Sequence, residues 1–354
     1  MRTIRITGTG SALPGRIVTN KELEQLVETS DEWIRERTGI AERHVSVGET
    51  VVTLASEAAR KALERAGKTA EEIDLILVAS CSPEQYLPCC ACQVQAAIGA
   101  VNALAFDVNA ACSGFLFALN TADAYLRTGL AENALVIGSE VLSKLVDWTD
   151  RGSCILFGDG AGAVVVERCR TESRAVEYGN ALPAAEEKRI PAAGILGRVL
   201  HSDGTGGGVL QCGARELATP YARTSAAKTD QNQPTDGREH YIQMDGQEVY
   251  RFATRRVPQC IEEALSDAGL TVPDIDMFVL HQANARIIDA VAKRLHADRD
   301  KFPTNLERVG NMSSASIPVL LDELNRQRKL HRGDRIVLAG FGAGLTIGAC
   351  VMTW

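Results

Sequence analysis

The sequence lacks three features that would each assign it to a class of protein. It has no basic excess, because 38 Lys and Arg stand against 45 Asp and Glu for a net charge of −7, which argues against a nucleic-acid or anionic-membrane surface. No run approaches the ~20 apolar residues of a membrane span, and the N-terminus lacks the apolar core of a signal peptide. We therefore expect a soluble, cytoplasmic protein that partners neither nucleic acid nor a membrane.

Cysteine is sparse, with ten positions in 354 residues, which is too few for the disulfide framework of a small secreted domain. The densest cluster is Cys89, Cys90 and Cys92, but no second Cys/His pair follows at the spacing of a zinc site. We expect reduced thiols and no metal. The composition is globular, with 45% apolar and 23% charged residues, and the length suits two ordinary domains or one composite domain.

Two segments repeat each other without a gap, 202 residues apart. Residues 61–80 (KALERAGKTAEEIDLILVAS) and 263–282 (EALSDAGLTVPDIDMFVLHQ) agree at seven of twenty positions. In each copy an amphipathic pattern ends at a glycine, Gly67 or Gly269, and an apolar run suited to a buried strand follows. The repeat therefore predicts a duplicated helix and strand.

A second repeat follows in the same order, with GDGAGAVVV at 158–166 matching GFGAGLTIG at 340–348. Together the repeats predict an α/β fold with one half at 1–170, surface insertions and a connection at 171–245, and a second half at 246–354. Each half is expected to pack helices on a mixed sheet. The first half is longer between its repeats, and we place the extra residues around the cysteine cluster.

Three polar residues stand where an apolar run ends or a small-residue turn begins. Cys112 opens a helix, where the dipole and free N–H groups lower a thiol pKa and favour a nucleophilic thiolate. His281 ends a strand, at the crevice where α/β sheets bind ligands, and Asn311 lies in a Gly-Asn turn. The plainer interpretations are a structural cysteine, a core histidine and a turn asparagine. In combination the three favour covalent thioester chemistry with a polar pair that holds a developing oxyanion.

Five blocks match a known family in order and span nearly the whole chain: TSDEWIRERTGIAERH (29–44), ACSGFLFAL (111–119), DRGSCILFGDGAGA (150–163), HQANARII (281–288) and GNMSSASIP (310–318). On these blocks the sequence resembles the β-ketoacyl-ACP synthase III family, the initiating condensing enzymes of bacterial fatty acid synthesis, within the thiolase-like superfamily. The resemblance implies a thiolase-like fold, a duplicated five-layered αβαβα architecture with mixed sheets. Such a duplication also accounts for the internal repeat.

The resemblance implies an acyltransferase that condenses an acyl-CoA primer with malonyl-ACP, with decarboxylation, to give β-ketoacyl-ACP. Cys112 would take the acyl group from CoA, and His281 and Asn311 would bind the thioester carbonyl of malonyl-ACP and stabilise the enolate left by decarboxylation. The amides of Cys112 and Ala343 would form the oxyanion hole, although the family usually has glycine at the second position. No metal or redox cofactor is implied.

The positions that match the family's CoA contacts are Thr29, Trp33, Arg37, Arg151, Gly246 and Asn284. Trp33 and Arg151 would flank the adenine, and Arg37 would lie near phosphate. An indole and a guanidinium suit these roles through stacking and charge-assisted hydrogen bonds. Without the resemblance, Trp33 would be interpreted as an ordinary core residue.

The basic patch that docks the acidic acyl carrier protein matches Arg286, Lys293 and Arg294. The plainer interpretation of Lys293 and Arg294 is a solvated helix face. By analogy with the family we also expect a homodimer. Leu87 stands where well-known members carry an aromatic residue that reaches into the neighbouring subunit's acyl pocket, so its smaller side chain predicts a primer longer or bulkier than acetyl.

Several alternatives stay open. The insertions at 171–193 and 220–240 could reshape the tunnel mouth or only decorate the surface. A specialised secondary-metabolite ketosynthase III-like acyltransferase would use an unusual starter or acceptor. A degradative thiolase needs a second cysteine before glycine, whereas Val351 follows Cys350, and a hydroxymethylglutaryl-CoA synthase needs a glutamate base, for which the candidates are Glu84 and Glu140. A Cys-His hydrolase and a non-catalytic CoA-binding protein represent other classes.

Overall fold

The structure, a computed structural model, describes residues 2–170, 194–213 and 240–354. Its strands are β1 (Arg2–Ala12), β2 (Arg16–Thr19), β3 (Glu42–Val45), β4 (Leu75–Ala79), β5 (Leu104–Val108), β6 (Asn133–Glu140), β7 (Gly160–Arg170), β8 (Gly194–His201), β9 (Leu210–Cys212), β10 (Ile242–Met244), β11 (Met277–Leu280), β12 (Arg335–Gly342) and β13 (Thr346–Thr353). Its α-helices are α1 (Asn20–Leu23), α2 (Asp31–Thr38), α3 (Val51–Ala66), α4 (Cys90–Ile98), α5 (Gly114–Thr128), α6 (Gly246–Ala268), α7 (Ala285–Arg294), α8 (Leu306–Val309) and α9 (Ser316–Arg326).

Two mixed sheets organise the chain. The first has the order β1-β7-β6-β4-β5, in which β4 pairs parallel with β5 and β6 while β7 pairs antiparallel with β1 and β6. The second has the order β11-β12-β13-β8, in which only β11 and β12 are parallel. Side chains alternate along a strand, so Leu75 and Leu77 of β4 face one apolar core while Ile76 and Val78 face another. Val337 and Leu338 of β12 likewise belong to different cores, so each sheet is covered on both faces.

Helices form three layers around these sheets. α5 and α9 lie between the sheets, in a core cluster that includes Leu119 and Leu321 together with residues of both sheets. α3 and α4 cover the outer face of the first sheet, and α6 and α7 cover the outer face of the second. This order of layers confirms the predicted five-layered αβαβα architecture with mixed sheets. Among the described helices, none has both the length and the apolar character needed to cross a bilayer.

The first sequence repeat marks a duplication that extends well beyond it. α3 and α6 both end at a glycine in the left-handed conformation, Gly67 (φ 65°) and Gly269 (φ 66°), as predicted. The same spacing of 202 residues relates the start of α5 at Gly114 to the start of α9 at Ser316, and it relates β6 to β12. The nucleophile turn and the asparagine turn, which precede α5 and α9, are therefore structural counterparts.

The second sequence repeat is misaligned by four residues. It matches Gly162 with Gly344, whereas the sheet registers place Gly162 opposite Gly138 on β6 and Gly348 opposite Gly340 on β12. Because Gly138 and Gly340 are counterparts, Gly162 corresponds to Gly348. The alignment was wrong because it rested on the Gly-Ala-Gly motif that both segments contain.

The extra residues of the first half lie at 141–159, between β6 and β7, and not around the cysteine cluster as predicted. In the second half only three residues, 343–345, connect the corresponding strands. The longer connection crosses to the other half, where Phe157 forms a β-bridge with Asn311. The longer connection therefore reaches Asn311, one of the predicted site residues.

The stretch predicted as surface insertions and connection, 171–245, contains a strand of the second sheet, so the boundary at 246 is too late. β8 pairs antiparallel with β13 from Gly194 to His201. Half of its eight residues are apolar, but the polar runs on either side dominate the composition of the stretch and concealed the strand. The predicted insertions at 171–193 and at 220–240 lie outside the described residues, His240 excepted.

A glycine at the same place in each half lets an outer helix touch its sheet. A Cβ added to Gly8 would lie 2.2 Å from the carbonyl oxygen of Ala62, and one added to Gly197 would lie 2.3 Å from that of Ala264. Both clashes are with helix backbone, which cannot move aside like a side chain.

Gly197→Ala is therefore expected to lower the free energy of unfolding by about 2 kcal/mol through overpacking. The measurement is the thermal unfolding midpoint of the variant beside that of Gly207→Ala, a control where an added Cβ meets nothing within 4 Å. Equal midpoints for the two variants would contradict the close-packing argument.

Candidate active site

The catalytic candidates lie where the two halves meet. Cys112 is in the 3₁₀ turn Ala111–Ser113, and Asn311 precedes the counterpart turn Ser313–Ala315. His281 directly follows β11 and donates its backbone N–H to the carbonyl oxygen of Ala339 at 2.8 Å. The end of β12 closes on the nucleophile, since a Cβ on Gly342 would lie 2.7 Å from the Cys112 amide nitrogen. The duplication thus brings both turns to one place.

A cavity of about 220 Å³ opens beside Cys112. Residues of both turns line it, including Ser313, and so does Ala343. The short strands β9 and β10 contribute Leu210 and Ile242. The stretch predicted to be only surface therefore forms part of the cavity wall. Its lining is mostly apolar, which suits an acyl chain.

Burial dominates the electrostatics of the Cys112 thiol. It raises the pKa of Cys112 to about 12, a hydrogen bond from the Ser313 side chain opposes this rise, and the Glu140 carboxylate adds to it. The predicted lowering of the pKa by the helix N-terminus is therefore wrong for the unliganded protein. The thiol is neutral near pH 7, so its proton must leave as the sulfur attacks.

His281 is a neutral, buried imidazole. It is 3% exposed, and burial lowers its pKa to about 3. Its ring packs edge-on against Phe341, with 5.6 Å between the centroids, and its Nδ1 has no hydrogen-bond partner among the described residues. A neutral ring carries one N–H, so it is able to donate one hydrogen bond at any pH from 5 to 8.

Asn311 is fixed so that its amide group has a defined direction. Its Oδ1 accepts a hydrogen bond from the Ser313 N–H at 2.9 Å, which leaves the Nδ2 group as a donor. Its backbone is held by hydrogen bonds to Leu156 (2.9 Å) and Gly158 (3.0 Å) in the long connection of the first half. Asn311 is 7% exposed, and neither it nor His281 is in the cavity lining itself.

The turn after β12 holds Ala343, at the predicted oxyanion position, without a left-handed backbone conformation. Gly344 (φ 73°) and Leu345 (φ 44°) take the left-handed conformations of this turn, and Ala343 does not. Ala343 therefore carries no backbone strain from its side chain. The pairing of its amide with that of Cys112 stays a prediction.

Two guanidinium groups lie over the indole ring of Trp33. The Cζ of Arg37 is 4.7 Å and that of Arg151 is 5.0 Å from the centre of the indole ring, and Arg151 also donates to the carbonyl oxygen of Glu28. A flat base between Trp33 and Arg151 needs about 7 Å, two contact distances of roughly 3.5 Å. Binding an adenine there therefore requires Arg151 to swing outward.

The other predicted CoA contacts lie near this group or at a helix start. Thr29 has a buried Oγ1 without a hydrogen-bond partner among the described residues. Asn284 caps α7 by accepting from the Arg286 N–H at 2.8 Å and donates to the Arg37 carbonyl oxygen at 3.0 Å, so it ties α7 to α2. Gly246 is the first residue of α6. Their contacts with CoA stay predictions.

The three residues predicted to dock the acyl carrier protein share the exposed face of α7, opposite the buried residues Ile287 and Val291. Arg286 lies over the ring of Tyr250, with its Cζ 5.8 Å from the centroid. Within the described part of the chain, Lys293 and Arg294 form no ion pair. Unpaired cations on one face are compatible with an acidic partner and with a solvated face alike.

Leu87 does not line the Cys112 cavity of its own chain. Its side chain is 85% exposed, among the largest apolar exposures of the described residues. An acyl-pocket role for Leu87 therefore requires a second copy of the chain, as the resemblance implied.

The residues that other functions would need are not in place. Cys350 is fully buried in the core between the sheets, away from the cavity lining, so the structure offers no second thiolase cysteine there. Glu140 is sealed by hydrogen bonds from Ser82 (2.5 Å), Ser314 (2.7 Å) and the Cys81 amide, and Glu84 pairs with Lys144 at 2.8 Å. Neither glutamate is a free base.

Metal ligands do not cluster in the structure. Over residues 2–170, 194–213 and 240–354, no group of three His, Cys, Asp or Glu side chains has a metal-binding arrangement.

Sequence reasoning missed Ser313 and the contributions of β9 and β10 to the cavity. The one signal for Ser313 was the duplication, because the turn that holds the nucleophile has a counterpart in the sequence SSAS. β9 and β10 are three residues each, too short to predict.

Comparison with known proteins agrees with this geometry. The profile of 3-oxoacyl-[acyl-carrier-protein (ACP)] synthase III matches residues 106–180, and the profile of its C-terminal region matches 265–354. The β-ketoacyl-[acyl-carrier-protein] synthase III of Clostridium acetobutylicum is 44% identical over 354 residues, 100% of this chain and 99% of the relative, and that of Desulfitobacterium hafniense is 46% identical over 356 residues, 100% and 98%.

Solved structures give the same result. The 3-oxoacyl-[acyl-carrier-protein] synthase III from Aquifex aeolicus VF5 has a TM-score of 0.84 at 38% identity, covering 99% of this chain and 100% of that chain. The priming β-ketosynthase from the R1128 polyketide pathway has a TM-score of 0.84 at 34% identity, covering 99% and 96%. The likeness runs through both halves and both turns, and the chain belongs to the β-ketoacyl-ACP synthase III family, the thiolase-fold condensing enzymes that initiate fatty acid synthesis.

Proposed function

We propose that Cys112, His281 and Asn311 carry out the condensation of an acyl-CoA primer with malonyl-ACP in two half-reactions at the place where the two halves of the chain meet. The observation that supports this assignment most strongly is the meeting of the two duplicated turns, one with the thiol of Cys112 and one with the amide of Asn311. The neutral His281 supplies a second N–H donor.

In the first half-reaction, the Cys112 sulfur attacks the carbonyl carbon of acyl-CoA. The developing oxyanion accepts hydrogen bonds from the amides of Cys112 and Ala343. The bond from the carbonyl carbon to the CoA sulfur breaks, and the proton lost by Cys112 ends on that sulfur. The products are acyl-Cys112 and free CoA.

In the second half-reaction, the thioester oxygen of malonyl-ACP accepts hydrogen bonds from His281 and from the Nδ2 of Asn311. These donors stabilise the enolate as CO₂ leaves, each by about 3 kcal/mol. The carbanion then attacks the acyl carbon, the bond from that carbon to the Cys112 sulfur breaks, and β-ketoacyl-ACP is released. The Cys112 sulfur leaves as a thiolate and takes one proton from solvent, which restores the neutral thiol. Each step uses substrate electrons and protein N–H donors, so we expect no resident cofactor.

The ligand contacts follow from charge and shape. Trp33 and Arg37 offer an indole face and a guanidinium to the CoA nucleotide, with Arg151 moving out to cover the adenine. The unpaired cations of α7 face an acyl carrier protein, whose surface is acidic. We expect the enzyme to act in the cytoplasm, where both substrates are dissolved.

A homodimer is supported by an exposed apolar edge. β5 is the edge strand of the first sheet, and apolar side chains near it are exposed: Tyr86 70%, Leu87 85%, Val101 74% and Leu104 54%. Such an edge is open to pairing with another chain. Pairing there would cover these residues and bring Leu87 to the partner's acyl cavity.

Leu87→Phe is expected to shift the primer preference toward shorter acyl chains. The phenylalanine ring is larger than the leucine side chain, so it leaves less room in the cavity for the acyl chain. The measurement is kcat/KM for acyl-CoAs of increasing length, with Val101→Phe as a control on the same exposed region. An unchanged length profile for Leu87→Phe would contradict a pocket role.

The function is tested by supplying an acyl-CoA and either malonyl-ACP or malonyl-CoA to the purified enzyme. The proposal predicts β-ketoacyl-ACP, and it predicts that Lys293→Glu with Arg294→Glu lowers kcat/KM for malonyl-ACP but not the rate of acylation by acyl-CoA. Arg328→Glu with Lys329→Glu, the same double charge reversal at exposed residues just after α9, is the matched control. Turnover with malonyl-CoA alone would instead favour a specialised ketosynthase with an unusual acceptor.

A further inference from the structure

Each turn of the site packs against the last residue of a strand from the other half. The spacing of 202 residues between the halves makes Ser314 the counterpart of Cys112. It also makes Gly342, which ends β12, the counterpart of Glu140, which ends β6. A Cβ added to Gly342 would lie 2.7 Å from the Cys112 amide nitrogen, so glycine gives the nucleophile turn its room. Against the turn that follows Asn311, the chain has a glutamate at the same place.

The carboxylate of Glu140 is fully buried and joins the two halves. From the second half, the Ser314 hydroxyl lies 2.7 Å from its Oε1. From the first half, the Ser82 hydroxyl donates to its Oε2 at 2.5 Å and the Cys81 amide donates to the same oxygen at 3.1 Å. The Ser82 oxygen accepts from the Val141 N–H at 2.9 Å, so its own hydrogen is committed to Glu140. Within the described part of the chain, no basic side chain pairs with this carboxylate.

Ser314 belongs to the turn that gives Asn311 its direction. The N–H of the preceding residue, Ser313, donates to the Asn311 Oδ1 at 2.9 Å. The backbone of Ser314 lies directly on β6, because a Cβ added to Gly138 would be 2.2 Å from the Ser314 carbonyl oxygen. Ser314 is 1% exposed and is not among the residues that line the cavity. It therefore acts on the site only through the turn.

We propose that Ser314, anchored on Glu140, is a positioning residue that fixes the turn of Asn311 for the second half-reaction. The inference rests on the proposed function. The Nδ2 of Asn311 stabilises the enolate only while it points at the thioester oxygen, and a turn that shifts loses this direction. The attack of Cys112 on acyl-CoA does not use Asn311, so the anchor bears on one half-reaction and not on the other.

The test compares Ser314→Ala with Glu140→Gln. Alanine removes the hydroxyl and with it the anchor. Glutamine removes the negative charge but keeps the anchor, because its oxygen accepts from the first-half donors and its Nε2 donates to Ser314. The Ser314 hydrogen then turns to the carbonyl oxygen of Ala79, which is 2.8 Å away.

Ser139→Ala is the matched control for the loss of a buried hydroxyl. Ser139 is also on β6 and fully buried, and its hydroxyl donates to the Val51 carbonyl oxygen at 2.8 Å, away from the turn. The control therefore loses a hydrogen bond of the same length from the same strand without touching the anchor.

The first readout is the pair of half-reaction rates. We expect Ser314→Ala to slow release of CO₂ from malonyl-ACP by about tenfold, with KM for malonyl-ACP and the rate of Cys112 acylation unchanged. Glu140→Gln and Ser139→Ala are expected to stay within about twofold of wild type in both half-reactions. Wild-type CO₂ release in Ser314→Ala would overturn the inference, and so would equal slowing of both half-reactions. Glu140→Gln as slow as Ser314→Ala would also overturn it, since charge and not the anchor would then be the cause.

Hydrogen exchange of the backbone amides gives a second readout that needs no substrate. Because Asn311 holds the Ser313 N–H, a released turn exposes this amide, and we expect the peptide with both residues to exchange faster in Ser314→Ala than in Ser139→Ala or wild type. Unchanged exchange in Ser314→Ala would overturn the inference. If the wild type released no CO₂ from malonyl-ACP, the proposed function would be overturned instead, and the exchange rates would still decide whether Ser314 fixes the turn.

Discussion

Cys112→Ala is expected to abolish formation of β-ketoacyl-ACP while decarboxylation of malonyl-ACP continues. The variant loses the only atom that bonds to the acyl group in the proposed mechanism, whereas the donors on His281 and Asn311 stay in place. The change removes one sulfur from a residue beside a cavity, so the loss of packing is small. The measurements are product formation by mass and release of CO₂ from malonyl-ACP.

Cys350→Ala is the matched control for this prediction. Cys350 is also buried, but it lies in the core between the sheets, so its loss costs some stability without touching the reaction. Condensation by Cys112→Ala above the uncatalysed rate, or its loss in Cys350→Ala without unfolding, would contradict the assignment of the nucleophile.

Asn311→Asp is expected to slow decarboxylation and condensation by roughly 10²- to 10³-fold while acyl-Cys112 still forms. Aspartate has nearly the same shape and still accepts the Ser313 N–H, but an oxygen replaces the donor Nδ2. The enolate oxygen then faces a carboxylate in place of a donor. The measurement is single-turnover formation of acyl-enzyme followed by its consumption after malonyl-ACP is added.

Asn305→Asp is the control for this second prediction. Asn305 is a buried asparagine of the neighbouring α8 turn, and its Nδ2 donates to Glu323 at 3.1 Å, outside the cavity. Asn305→Asp is expected to change the stability of the protein without changing the relative rates of the two half-reactions. If Asn311→Asp slowed acylation as much as decarboxylation, the assignment of Asn311 to the second half-reaction would be wrong.

Much of the fold could be predicted from the sequence because the duplication is visible as repeated local patterns. Gly67 and Gly269 each end a helix at the predicted place, since a left-handed cap demands a residue without a Cβ. The alignment of the second repeat was wrong because it rested on a shared Gly-Ala-Gly motif. The register of the sheet, and not this motif, determines which glycines of the two halves are counterparts. β8 was missed because the polar runs on either side of it dominate the composition of the stretch, although half of its eight residues are apolar.

The candidate site was less predictable than the fold. The position of Cys112 at a helix start was visible, but its pKa depends on burial by both halves, which no local pattern reports. Ser313 drew no attention in the sequence because its place in the site depends on the fold, which brings its side chain to Cys81, more than 200 residues away in the chain. The proposed acyl-pocket role of Leu87 depends on a second copy of the chain, and no pattern within one sequence shows how two copies would meet.

The most direct test of the whole account is the mass of the wild-type enzyme after incubation with acyl-CoAs of different length, followed by mapping of the modified peptide. The account predicts an increase equal to one acyl group, located on Cys112 and absent from Cys112→Ala. It also predicts that malonyl-ACP removes this mass. No adduct with any acyl chain, or an adduct on a different cysteine, would contradict it.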